Sequence, residues 1–453
     1  MTAEATPTRA AGSYGDLPAV SGHQDALDGI RAVAAFTVLV FHVALNAGTN
    51  RSSMPAAWLF NGGQVGVAIF FTLSGLLLYR PWVRAVLDGG ARPRTLTYLR
   101  RRALRILPAY WLLVACVLLT AQRDHLVDGQ AWARLLTLTQ IYAPHPLWSG
   151  GLGPREMGQA WSLAVEAAWY VSLPLTAVVL AWFARRSYRA RRTRGRRSAH
   201  PQLDGGGDGR ADGRADGRAD GGVDVAGRAR RLLWGLGLYA LISFAYTLLV
   251  FVPRYRPIAV SWPPRYLAWF AAGMALSVVA VWARAEPDGP AARFCRTVSE
   301  CWVTCWLAAL SLYVIAASPL TGPPDLATLD GVWTAEFHIL VYGMCALFFI
   351  APVALAPAAH PGLTAVLGNR VMRFLGRISY GVFLWQMILI LGWYDTTDRL
   401  FRGAFLLDLP ILTAATVVAA TLSYYLVEKP IQRLSRARGV RPSAKDSRPA
   451  GVA

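Results

Sequence analysis

Ten stretches of this chain are apolar for about twenty residues at a time, and no other feature limits its fold so strongly. A block of that length crosses the ~30 Å hydrocarbon core of a bilayer as a single helix. The windows run approximately 27–48, 64–82, 106–121, 160–184, 231–252, 263–283, 300–319, 336–356, 374–394 and 404–427. The third is short, and a minor apolar piece at 132–142 reads as an interfacial helix. Composition agrees. Of 453 residues 55% are hydrophobic and 16% charged, against roughly 25% charge in a typical globular chain. The expected fold class is all-α, a polytopic bundle of about ten transmembrane helices in a cell (plasma) membrane. Five cysteines, an odd number, give no disulfide framework.

The charge balance orients such a bundle. Lys plus Arg number 46 against 26 acidic residues, and only Lys429 and Lys445 are lysines. Neither precedes Ser or Thr, so there is no Walker loop, and neither lies in an apolar block where a Schiff-base lysine would sit. Arginines between the blocks and aromatics within them do not make a nucleic-acid surface. With both termini cytoplasmic, 36 basic residues fall inside and 9 in outer loops; without the 14 of the long loop at 185–231 the division is still 22 to 9. Residues 1–25 and 436–453 read as disordered tails, flanking a membrane domain at 26–435. Asp28 and Arg31 near the start of the first block argue for a retained span rather than a cleaved signal. The basic loop at 185–230, with its Gly-Arg-Ala-Asp repeats, cannot bury a core and is expected to be disordered. Its arginine run is either a solvated orientation signal or a contact for anionic lipid headgroups.

Ionisable groups deep in a bilayer usually mark function. Away from the span edges there are three: Arg31 and His42 in the first span, Glu166 in the fourth. Eleven residues make three turns plus about 20°, so Arg31 and His42 share a helix face, about 16 Å apart along the axis. Counting from the expected outer edges puts His42 and Glu166 each about 9 Å deep. At matching depth the carboxylate could orient the imidazole as a general base for a hydroxyl. The alternative is that the two simply tie helices together.

Arg101, Arg102 and Arg105 form a second cluster at the entrance of the third span, with Pro108 expected in its first turn. Arginines there oppose the helix dipole but suit bidentate contacts to phosphate; positive-inside anchoring accounts for them equally well. Ser74 and Gly75 in the second span read more readily as small residues for close helix approach than as the setting of a serine nucleophile. Cys295, Cys301 and Cys305 do not have a standard zinc spacing, so no metal is expected.

Taken together, LDGIRAVAAFTVLVFH, GQVGVAIFFTLSGLLL, YLRRRALRILPAYW, AWSLAVEAAWY, LGRISYGVFLWQ and YYLVEKP resemble, in order and over roughly residues 25–435, the membrane acyltransferase-3 family. The resemblance implies transfer of an acyl group, short ones such as acetyl foremost, from acyl-CoA to a hydroxyl of a carbohydrate or other small molecule. It implies CoA phosphates against Arg31, Arg101, Arg102 and Arg105, His42 as base oriented by Glu166, and Trp161, Ser162 and Gln386 on the acceptor side. Acyl-CoA would be a co-substrate, with no bound cofactor. One departure is Gln386, where relatives commonly carry His; an amide hydrogen-bonds but does not carry a proton at neutral pH. Other classes are a secondary transporter using Arg31, His42 and Glu166 as a substrate or proton site, and a lipid-binding membrane protein without chemistry. The absence of an internal repeat argues against the transporter.

Overall fold

The computed structural model describes residues 16–49, 56–143, 145–148, 151–197, 224–319 and 331–437. Among them there are helices and turns and no strand. The elements used below are α1 (Asp25–Ala47), α2 (Val65–Leu87), α3 (Thr95–Thr120), α4 (Gly129–Leu136), α5 (Ala160–Arg197), α6 (Val225–Phe251), α7 (Leu267–Ala285), α8 (Pro290–Glu300), α9 (Trp302–Ala317), α10 (Val332–Ala354), α11 (Pro361–Leu367), α12 (Arg370–Thr397), α13 (Phe405–Ser423) and α14 (Lys429–Ala437). Among the described residues nine helices are long and apolar enough to cross a membrane, and a tenth span is formed if the bent α8–α9 pair counts as one. That pair turns by 73° at Cys301. The sixteen residues of α9 rise only about 24 Å, so the seventh expected span crosses with the help of its neighbour.

Three expectations at the edges change. Residues 16–24 are not a loose tail. Leu17 is buried, Arg296 Nε donates to Asp16 at 2.6 Å, and the carbonyls of Pro18 and Ala19 accept from Arg284 and Arg80. Two peptide carbonyls and one carboxylate, bonded by arginines from three helices, hold this segment across one end of the bundle, called here the basic face. The long loop begins later than expected, because α5 continues to Arg197 and α6 starts at Val225; Arg and Ala are good helix formers. Residues 198–223, with the Gly-Arg-Ala-Asp repeats, and 438–453 lie outside the described residues. Finally, α3 starts at Thr95, so Pro108 sits in the helix interior rather than its first turn. The arginines at 101–105 are then beyond the first turn, and the dipole objection to them weakens.

Close backbone contact holds the core together, since lipid supplies no hydrophobic drive between helices. α2 crosses α7 where Gly75 faces the Phe270 carbonyl and Gly273 the Thr72 carbonyl; a Cβ on Gly273 would lie 1.8 Å from that oxygen. Thr72 Oγ1 donates to Trp269 O beside the crossing, at 3.1 Å. α1 meets α12 in the same way, with Gly376 against the Asp28 carbonyl. Both helices run away from the basic face, so residue 28 is level with 376 and residues further along each helix stay in step.

At the opposite end, the connection from α3 to α5 folds inward. Asp128 caps α4, and the backbone N–H groups of Ala131 and Gln130 hold its carboxyl below the usual carboxylate range. Gln122 donates to Glu156 at 3.0 Å and accepts from Trp148 at 3.1 Å. Arg155 grips Asp395 with contacts of 2.6 and 2.8 Å. Gln159 then donates to Leu384 O at 2.8 Å, which starts α5 within the bundle rather than at its rim.

The crossing yields a test. Gly273→Leu should prevent recovery of folded protein, because the obstruction is backbone and cannot rotate away. Gly237→Ala in α6, which has nothing within 4 Å of the added carbon, should melt no lower than the parent and up to about 1 kcal/mol higher in stability. Thermal unfolding in detergent, read by size-exclusion fluorescence, compares the two.

Candidate active site

A cavity of about 220 Å³ opens in the half of the bundle nearer the basic face. Its polar lining is Arg31, Ser74, Arg102, Arg105, Ser162, Glu166, Tyr170, Ser379 and Tyr380, and its apolar lining includes Phe70, Leu77, Ile106 and Phe383. Thus α1, α2, α3, α5 and α12 each contribute at least one polar group. Arg31 Nη1 is anchored one turn back on Asp28 at 2.5 Å. Arg102 and Arg105, at i and i+3, share a helix face, and the Arg102 Nε is buried without a hydrogen-bond partner among the described residues. Arg101 is exposed and does not line the cavity. Three guanidinium groups with spare donors make this space suited to an anion, phosphate in particular.

Glu166 belongs to the cavity, and its partners correct the expected arrangement. Its Oε1 accepts from the Ser74 hydroxyl and, at 2.5 Å, from Tyr170 OH one turn along α5. No hydrogen bond joins it to His42. The depth count fails because α5 begins inside the bundle: Gln159 is level with Leu384, and Glu166 lies seven residues, about 10 Å, nearer the basic face. The carboxylate therefore faces the arginines of the cavity, not the imidazole.

His42 lies outside the cavity lining, further from the basic face, and its partner is Gln386: Nδ1 and Oε1 are 3.3 Å apart. The orientation of this amide fixes the tautomer. Gln386 Nε2 donates to Phe383 O at 3.1 Å, so Oε1 faces His42 and must accept from Nδ1–H. A neutral imidazole bonded in this way carries its free lone pair on Nε2, the arrangement of a general base. Gln386 is fully buried, and its role is one that an uncharged amide performs.

The remaining predicted residues divide. Ser162 lines the cavity, with its hydroxyl donating to Gln159 O at 3.1 Å. Trp161 lies outside it, with its ring 5.1 Å from that of Tyr266, as packing. Sequence reasoning weighed Ser74 as a small packing residue or a serine nucleophile, not as a partner of Glu166, and passed over Tyr170 and Tyr380. Tyr170 follows Glu166 at i+4, a spacing that could have flagged it; Tyr380, whose OH donates to Ile106 O at 2.8 Å, had no local signal. Among the described residues no group of His, Cys, Asp or Glu is arranged to hold a metal ion.

A family model for an acyltransferase domain, acyltransferase-3, matches residues 24–428. The chain is 24% identical over 426 residues to YrhL of Bacillus subtilis (strain 168), covering 90% of this chain and 54% of that protein. It is 22% identical over 429 residues to the peptidoglycan O-acetyltransferase OatA of Listeria monocytogenes, covering 90% and 55%. Over a shorter stretch of 157 residues it is 29% identical to the acyltransferase MdmB of Streptomyces mycarofaciens, covering 33% and 38%. The chain thus spans about half the length of the first two relatives. No solved structure matches.

The Glu166 contacts can be weighed directly. Ser74→Ala and Tyr170→Phe each remove one donor from a buried carboxylate, a loss worth about 1–3 kcal/mol. The double variant should lose more than the two single losses combined, because Glu166 is then left without either partner. Thermal unfolding of the four proteins of this cycle checks it; additive losses would mean that the two hydroxyls do not act on one acceptor.

Proposed function

The chain belongs to the acyltransferase-3 family, and on that premise we propose that it moves a short acyl group from acyl-CoA to a hydroxyl of a carbohydrate or other small molecule in the cell membrane. The observation that carries this reading is the pairing of two stations: an arginine-lined cavity toward the basic face, and a histidine with a bare Nε2 about 16 Å along the same helix from Arg31. The basic face is cytoplasmic in this reading, as the distribution of arginines requires. CoA phosphates sit against Arg31, Arg102 and Arg105, with Arg101 contributing at most from the exposed side of α3. The pantetheine arm extends along α1 and α12 and carries the thioester to His42. Glu166 offsets the charge of the arginines when the site is empty and is itself held by Ser74 and Tyr170. Peptidoglycan, the acceptor in the name of the Listeria relative, is a hydroxyl-bearing glycan of the right class.

The chemistry asked of His42 is proton transfer. Nε2 takes the proton of the acceptor hydroxyl as its oxygen attacks the acyl carbon, the C–S bond breaks, and the same proton passes to the departing sulfur. Gln386 acts through His42 rather than on substrate, whereas Ser162, expected on the acceptor side, shares the arginine cavity with the donor.

Two measurements test this reading. His42→Ala should abolish CoA release with acetyl-CoA and a glycan acceptor, whereas Gln386→Leu should lower kcat by about 10²–10⁴ and leave donor affinity unchanged. Arg102→Ala and Arg105→Ala should do the opposite, raising the donor dissociation constant at least about tenfold for a lost charge-assisted contact. Full turnover by His42→Ala would end the proposal, and a transporter would release no CoA in any variant. Orientation has its own check: Leu96→Cys, 80% exposed beside the arginines, and Val127→Cys, 94% exposed at the other end, should label from the cytoplasmic and the outer side respectively.

A further inference from the structure

The cavity and the His42–Gln386 pair are not one open space. Phe70 of α2 and Phe383 of α12 line the outer end of the cavity, and their rings meet edge to face with centroids 6.0 Å apart and planes at 70°. Phe383 lies three residues before Gln386, about 4.5 Å along α12, and Gln386 touches His42. On the other side of the pair, Ser379, Tyr380 and Ser74 belong to the cavity. Phe70 packs against both hydrophobic clusters of the bundle, the large one around α2 and α7 and the smaller one around α1, α12 and α13. Along α12, Phe383 thus stands between Tyr380 of the cavity and Gln386 beside His42.

The two are not held alike. Phe383 is buried, and its carbonyl receives two amides, Gln386 Nε2 at 3.1 Å and Gln159 Nε2 at 3.4 Å. Phe70 is only half-buried and lines the cavity. One ring is enclosed and the other is partly open.

We propose that the Phe70–Phe383 pair sets which acyl groups this chain accepts, by the width of what it lets through to His42. The β-alanine and cysteamine units that end a pantetheine arm are a single file of atoms, its dimethyl-bearing carbon staying nearer the phosphates, and an acetyl or other unbranched acyl group is no wider than that file. An acyl group branched next to its carbonyl is wider at every rotamer and meets the rings. The pair therefore discriminates by branching more than by length. The inference rests on the donor reading above for its substrate, while the barrier itself is a statement about the protein alone.

The experiment separates these two parts. Turnover with acetyl-CoA and with isobutyryl-CoA is compared for the parent, Phe70→Ala and Phe383→Ala, with Phe70→Leu and Phe383→Leu as milder variants should the alanines fail to fold. Opening the pair should raise the isobutyryl-to-acetyl ratio of kcat/KM at least about tenfold, the discrimination that one or two carbons earn in a tight pocket. Donor binding should weaken less than in Arg102→Ala, because the arginines that meet the phosphates are left in place. Independently of catalysis, His42→Cys is exposed to an anionic thiol reagent from the basic face and modification at position 42 is read by peptide mass. Labelling should be slow with Phe70 present and faster with Phe70→Ala. An unchanged selectivity ratio in an active enzyme would overturn the proposal, as would equal labelling rates. Faster labelling in a protein that never consumes acyl-CoA would uphold the barrier and remove the donor reading instead.

Discussion

The seam between α1 and α12 fixes the coordinates of the site. Gly376 brings the two backbones together at the Asp28 carbonyl, and because the helices run in the same direction, each later residue of one stays level with a residue of the other. Arg31 follows that contact by three residues and His42 by fourteen; Tyr380, Phe383 and Gln386 follow it on α12 by four, seven and ten. A helix built on 1.5 Å per residue turns those offsets into a ladder: cation, aromatic pair, imidazole. A side chain at position 376 would push the helices apart at the Asp28 carbonyl and disturb the register on which the 3.3 Å contact between His42 and Gln386 depends.

Membrane burial explains how the polar groups on this ladder are partnered. A buried charge is tolerable only when other groups satisfy it. Asp28 neutralises Arg31 within one turn, and Glu166 stands in the same cavity as Arg102 and Arg105 while drawing its own hydrogen bonds from neutral hydroxyls. These groups gather where the cavity opens toward the basic face. Further in, the partner of His42 is an amide, and no ionised group of the cavity bonds to it. Charge decreases along the ladder, as the cost of desolvation would dictate.

Much of this was legible in the sequence, and the failures have one physical source. The spans, the common face of Arg31 and His42, and the arginine cluster follow from local rules: length, helical period and charge. The depth of Glu166 does not. It was counted from the end of an apolar block, on the assumption that a helix starting at residue 160 starts at the membrane rim. Residues 151–159 instead fold into the bundle and are pinned there by Arg155–Asp395 and Gln159–Leu384, contacts between segments more than two hundred residues apart that no window can detect. The same non-local packing hid Ser74, whose hydroxyl matters only because α5 places Glu166 beside it, and turned Trp161 toward Tyr266 instead of the site. Gln386 stood out as a departure from the family pattern, and what it does emerged only from the second hydrogen bond that orients its amide.

That hydrogen bond bears on why an amide suffices. In triads built for water-exposed hydrolysis, a carboxylate behind the histidine stabilises the imidazolium that forms. Within the bilayer an unpaired carboxylate at position 386 would need a cation of its own, and the arginines of the cavity lie further along the ladder, toward the basic face. An amide accepting from Nδ1–H sets the same tautomer without that cost. The reaction proposed here makes the exchange workable, since the proton taken from the hydroxyl oxygen is wanted at once by the departing sulfur. If His42 Nε2 hands it across in the same encounter, imidazolium is transient and no net charge is left in the membrane. A carboxylate at 386 would hold the proton on the imidazole longer, so Gln386→Glu should keep acyl transfer but slow the step that releases CoA, a difference that pre-steady-state mixing with acetyl-CoA can resolve.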